Sequence, residues 1–183
     1  DKERKIRVTF RQDFHLYGDG IGDTALYHPE KDAIIHYKRS VYFLTGIRSK
    51  NGDNMLTDYN VGNGIHPGDE NPKKHIAQGH VDSIPSTDVS IPPNGSKEIC
   101  HYLIAGDGFK EVFQLQEEFL KREINDYEFE IKQQQKSWLK NIEPDISRVE
   151  KDVQNLYKKS LLIIKTQMAK NGAILAANDS DNV

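Results

Sequence analysis

Histidine, cysteine and carboxylate side chains do most acid, base, nucleophilic and metal chemistry, and this chain carries seven histidines, one cysteine and 28 carboxylates. His28, His36 and His101 fall in or beside strand-like stretches, where a histidine satisfied by its neighbours is the expected role. His75 and His80 stand five apart in a turn-rich segment, with no thiolate or carboxylate at metal-ligand spacing. Cys100 lies between Ile99 and His101. A Cys-His nucleophile needs an imidazole alongside and a lowered thiol pKa, yet adjacent strand residues face opposite ways, so Cys100 reads as core. "GDGIGD" (18–23) is glycine-rich but lacks the Lys-Ser/Thr of a phosphate loop and no helix follows, which makes it a turn. Asp19 and Asp23 there, and Asp53 and Asp58 in "NGDNMLTD", offer oxygens that calcium accepts. Their spacings fit no calcium loop, and Asp/Asn turns account for them. Trp138 belongs to a helical stripe and reads as packing. Asn94-Gly95-Ser96 and Asn178-Asp179-Ser180 are formal glycosylation sequons. No cofactor and no metal is expected.

Composition narrows the partners. Across 183 residues, 25 basic and 28 acidic side chains leave a formal charge of −3. No long basic stripe supports nucleic-acid binding. The apolar run Leu161-Leu162-Ile163-Ile164 is far too short to span a bilayer. A single cysteine excludes an internal disulfide framework and leans toward a reducing, cytoplasmic setting. "DKERK" resembles neither a start methionine nor a signal peptide, and upstream sequence is expected.

Two textures must position whatever chemistry exists. Residues 1–106 read as short strands: "KIRVTF" alternates Ile6, Val8 and Phe10 with Lys5, Arg7 and Thr9. "DAIIHYKR" and "SVYFLTGIR" follow, then stretches around Met55–Asn60, Gly79–Ile84, Asp88–Ile91 and Lys97–Ala105. Turn-formers such as "HPEKD" (28–32), "KNGDN" (50–54), "GNGIHPGDENP" (62–72) and "PPNGS" (92–96) separate them. That pattern predicts an antiparallel sandwich or barrel rather than a parallel sheet.

Beyond Asp107 the period becomes helical. Helices are predicted over "GFKEVFQLQEEFLKR", over Glu123–Leu139 with Ile124, Tyr127, Ile131 and Trp138 on one stripe, and from Asp145 to Lys170, with Pro144 as the breaker between the last two. The last helix begins with one stripe, Ile146, Val149, Val153 and Leu156. It ends on "LYKKSLLIIKTQM", whose wider apolar arc demands covering on more than one side. Asn171-Gly172 closes it, and the small residues Ala173, Ile174, Ala176 and Ala177 follow.

Taken in order, these segments resemble one family. "GIGDTALYHPEKDAIIHYKRSVYFLTG" (20–46) is similar to the later strands of the N-terminal super-β-sandwich of prokaryotic glucoamylases, glycoside hydrolase family 15. "AQGHVDS" (77–83) resembles the Gly-x-Val-Asp-Ser stretch of that domain. "HYLIAGDGFKEVFQLQ" (101–116) resembles its passage into the linker helix, and "SWLKN" (137–141) the linker's end. "LYKKSLLIIKTQMAKNGAILAANDSD" (156–181) resembles the first helix of the catalytic (α/α)6 barrel and the loop after it.

The resemblance implies three parts: sandwich over 1–106, helical linker over 107–143, and the truncated start of the barrel over 144–183. It implies an inverting hydrolase that releases glucose from α-1,4-glucans or maltooligosaccharides. The catalytic glutamates are expected downstream of this chain, which would act as scaffold and be inactive alone. No catalytic or substrate-binding residue is assigned; Asn178, Asp179 and Asp181 are at most border candidates for the sugar pocket. Expected partners are the α-glucan substrate, the rest of the barrel and a possible second copy of the chain. A trehalase or glucodextranase of the same family is the alternative within the class. A non-catalytic carbohydrate-binding or assembly sandwich is the alternative outside it, and it would use exposed aromatics such as Tyr37, Tyr42 or Tyr59.

Overall fold

The structure, a computed structural model, describes residues 2–68, 73–142, 145–169 and 171–174. The described strands are β1 (Arg4–Thr9), β2 (Gln12–Asp13), β3 (Thr24–His28), β4 (Ala33–Lys38), β5 (Val41–Arg48), β6 (Asp58–Gly62), β7 (Ile76–Gln78), β8 (Asp82–Ile91) and β9 (Cys100–Gly106). The helices are α1 (Phe109–Leu120), α2 (Ile124–Ile142) and α3 (Lys151–Thr166). Every strand pairing is antiparallel. The chain is thus the expected mixture of antiparallel sheets and following helices.

One sheet centres on β8, with β1 and β2 along one side and β6 along the other. Two predicted strands, 79–84 and 88–91, are parts of this one strand. Pro85 made them look separate, because proline donates nothing to a ladder. The structure absorbs it at a break in the opposite chain. Phe10 donates to the Pro85 carbonyl at 3.0 Å, and the bond that Pro85 cannot return falls between β1 and β2. β1 lies at the sheet edge, so Ile6 is exposed despite its alternating pattern.

The second sheet runs β7-β3-β4-β5-β9. β3 was not singled out among the predicted strands, since "TALYH" is short and flanked by turns. Apolar side chains from both faces of this sheet are buried. One face packs Ala25 and Ile34 with Val61 and Val81 of the first sheet's side of the sandwich. The other packs Ala33, Ile35, Leu44 and Tyr102 against Val112 of α1, with Phe109, Phe113 and Phe119 around them. That double burial explains why β4 reads as a nearly continuous apolar run.

Arg48 locks α1 to this sheet. It is wholly buried, and its guanidinium donates to the carbonyls of Phe119 at 2.7 Å and Arg122 at 2.8 Å while lying over the Phe119 ring. The partial negative charge of a helix C-terminus, where carbonyls lack intrahelical donors, compensates the buried cation.

The chain divides into two compact units, Asp1–Ile124 and Asn125–Val183. The first therefore takes in α1, although the sequence texture changes at Ala105-Gly106-Asp107. In the second, α2 and α3 contain no buried residue. α3 starts at Lys151, six residues after the predicted Asp145, because Asp145 accepts from the Ser147 N–H and Val149 donates to Ile146, closing turns first. After α3, Ala169 and Ala173 are joined by a backbone bond, and Gly172 takes the turn at φ +85°. Asn178, Asp179 and Asp181, with Pro144, Ala176, Ala177 and the second sequon, lie outside the described residues.

Candidate functional site

Among the described residues, several places bring polar side chains together, and three bear on the candidates read from sequence. The first is inside the sandwich. Ser83 of β8 and His36 of β4 meet at 2.7 Å between Oγ and Nε2, the spacing of a nucleophile and its base. Ser83 also donates to Gln12 Oε1 at 2.8 Å; Gln12 Nε2 and Thr45 Oγ1 each lie 2.8 Å from His101 Nε2, and Gln12 Nε2 donates to Thr45 Oγ1 at 3.5 Å. The pair is sealed: Ser83 is 0% and His36 1% exposed. Burial pushes the His36 imidazole down to about 4, with the charge of Asp82 acting the other way. No substrate reaches a serine there, so the chain of bonds joins the two sheets and satisfies their buried polar atoms.

That network gives "GHVDS" a physical meaning. Gly79 turns at φ +102°, and Val81 fills the core. Asp82 accepts from Arg11 at 2.9 Å and from the Ile65 N–H at 3.2 Å, and Ser83 opens the network. Only the core role of Val81 is suggested by residue type.

The second place is a cleft of about 260 Å³ lined by Arg7, Asp58, Tyr59, Asn60 and Lys73 among others. Arg7 grips Asp88 through two bonds of 2.7 Å and reaches Asp58 at 2.9 Å, while Lys73 also pairs with Asp58. Tyr59 stacks on Tyr27 and its hydroxyl meets His75 Nδ1 at 2.5 Å. Burial pushes the Asp58 carboxyl up, but Lys73, the Tyr59 N–H and Arg7 outweigh it and hold it low. Asp88 is held low by its bond from Arg7, Glu117 by Lys31 and Asp145 by Ser147. A general acid for glycoside cleavage needs the opposite, a carboxyl kept protonated near neutral pH. This cleft is a salt-bridged surface.

The third place answers the calcium question at Asp19 and Asp23. The ammonium of Lys38 occupies the position a cation would take, pairing with Asp19, lying 3.3 Å from Asp23 and donating to the Leu16 carbonyl at 2.8 Å. Asp19 is consequently held below the usual carboxylate range by Lys38. Asp53 closes a turn on Ser49, and Asp58 belongs to the cleft.

The remaining predicted residues resolve as follows. Cys100 is half-buried, and burial pushes its thiol up, away from reactivity. His101 stacks on Phe10 at 4.3 Å, and His28 packs on Phe113. His80 lies against His15, a partner 65 positions away that sequence spacing does not reveal. Tyr37 and Tyr42 stack on each other and on Phe109, so they serve the core beneath α1. Trp138 carries Lys165 over its ring at 4.7 Å. In the helical unit, Leu156 is 65% and Ile163 63% exposed, with Val153, Ile164 and Met168 also open. Within the wide apolar arc read from sequence, Leu161 and Leu162 are half-buried, while Leu156, Ile163, Ile164 and Met168 stay exposed.

No protein-family model matches the chain, and no curated protein does. Among solved structures the chain is similar to a crystal structure of a bacterial glucoamylase complexed with acarbose, with a TM-score of 0.69 and 14% sequence identity. The match covers 88% of this chain and 24% of that one, so the chain spans about a quarter of the glucoamylase's length. What the two share is a fold, antiparallel sheets leading into helices.

Proposed function

We propose that this chain is the sandwich (1–106), the linker (107–143) and the start of the catalytic barrel (144–183) of a glucoamylase-type glycoside hydrolase, and that it serves as scaffold for the rest of a helical barrel carried by the same protein. The observation behind this reading is the fold likeness, which runs through strands and helices alike over 88% of the chain. Two further features support it. The described carboxylates with a clear departure from their ordinary range are held low, as ion-paired structural groups are and a general acid is not. The open apolar positions of α3, Leu156, Ile163 and Ile164, are what a helix of a closed barrel presents to its neighbours.

The reaction proposed is hydrolysis of α-1,4-glucans or maltooligosaccharides with inversion. One carboxylic acid protonates the glycosidic oxygen while a carboxylate about 6.5–9.5 Å away activates water on the opposite face of the ring. The protein carrying this chain and its barrel should release β-glucose from maltooligosaccharides, followed by NMR of the anomeric proton. Preferential cleavage of trehalose or dextran would move the substrate assignment within the class. Inactivity on every α-glucoside would overturn the hydrolase reading.

A further inference from the structure

We propose that Asp13, His15 and His80 form a site for a zinc-class divalent metal that clips the β2 turn to the loop before β8. Donor atoms of all three lie within 4.8 Å of one another. His15 Nε2 is 3.2 Å from Asp13 Oδ1, and the His15 and His80 rings are 4.4 Å apart between centroids. Metal–ligand bonds of about 2.0–2.2 Å place tetrahedral donors roughly 3.3 Å apart, so the Asp13–His15 pair already stands at ligand spacing.

Local structure explains how two distant segments deliver these groups. Along extended backbone, alternate residues share a face. Phe14 turns inward onto His36 and Phe43, and Asp13 and His15 turn outward together. On the other segment, Gly79 adopts φ +102°, and Asn63 holds the flanking carbonyls of Gln78 and His80 at 3.1 and 2.8 Å. Buried Asp23 fastens both sides. Its carboxylate accepts from the Leu16 N–H, next to His15, and its carbonyl accepts from the Gly79 N–H, next to His80. A side chain at Gly20 would collide with the His80 ring, since a Cβ there would sit 1.9 Å from its Nδ1. The two histidines are therefore brought together by a buried support rather than by chance surface proximity.

Two imidazoles and one carboxylate suit zinc, cobalt, nickel or copper, whereas magnesium and calcium favour all-oxygen sets. The site is exposed, which leaves a fourth position for water. Arg11 lies 3.8 Å from Asp13 Oδ2 but is engaged at 2.9 Å by Asp82.

Isothermal titration of the whole chain with zinc tests this. One zinc per chain is expected, with a Kd at least tenfold weaker in H15A and in H80A, and unchanged in H75A. Far-UV circular dichroism confirms folding, and H15Q and H80Q substitute if either alanine variant is misfolded. Cobalt should give the intense visible absorption of a four-coordinate site, lost in the same variants. Zinc affinity that is unaffected by the His15 and His80 substitutions, no binding at millimolar zinc, or equal binding of magnesium would overturn the proposal.

Discussion

The two units of this chain solve the burial problem in opposite ways. In the strand unit one sheet is covered on both faces, and even its buried cations are answered: Arg48 by the end of α1, Lys38 by Asp19 and Asp23. In the helical unit the stripes are as regular, yet neither α2 nor α3 buries a residue. The lesson is that an amphipathic pattern specifies a helix without supplying its partner. A helix pair has too little facing surface to form a core, whereas stacked sheets create one from their own alternating side chains.

Substitutions can break that contrast where it is strongest. Arg48→Ala should cost roughly 4 kcal/mol, because it leaves the Phe119 and Arg122 carbonyls unanswered and opens a cavity. Chemical denaturation of the strand unit is the measurement. Leu44→Ala, in the layer beneath α1, should cost about 3 kcal/mol by the same assay.

Acid sharpens the comparison next. An unfolded imidazole titrates near 6.5, and buried His36 at about 4. As pH falls the unfolded chain takes up this proton first. The stabilising contribution is fully present above 6.5, shrinks as pH falls between 6.5 and 4, and its loss levels off at about 3 kcal/mol once both states are protonated. His101, also pushed down by burial, acts in the same direction. Denaturation midpoints across this range should fall for the strand unit, and H36Q should flatten the decline.

The smallest effect belongs to the helical unit. Leu156→Ala should change the stability of this chain by less than about 0.5 kcal/mol, because the side chain is already in water. A cost of several kcal/mol in the protein that carries the barrel would locate the missing cover there. If this chain self-associates through these exposed positions, Leu156→Lys with Ile163→Lys should weaken the association, measured by sedimentation.

Several structural features were legible beforehand. β4 and β5, the helix α1 and the wide apolar arc of α3 follow from period and residue type alone. The short strand β3 was hidden by its turns, and β8 was split on paper by Pro85. The onset of α3 was misplaced because capping turns at 145–150 compete with helix.

The sequence by itself determined the class of each segment, since alternation and 3.6-residue periodicity are local properties of the chain. It also determined that the last helix needs a cover. Tertiary structure alone decided which distant groups meet: Ser83 with His36, Lys38 with Asp19 and Asp23, and His15 with His80. Those encounters depend on strand register and loop return, which no local spacing encodes.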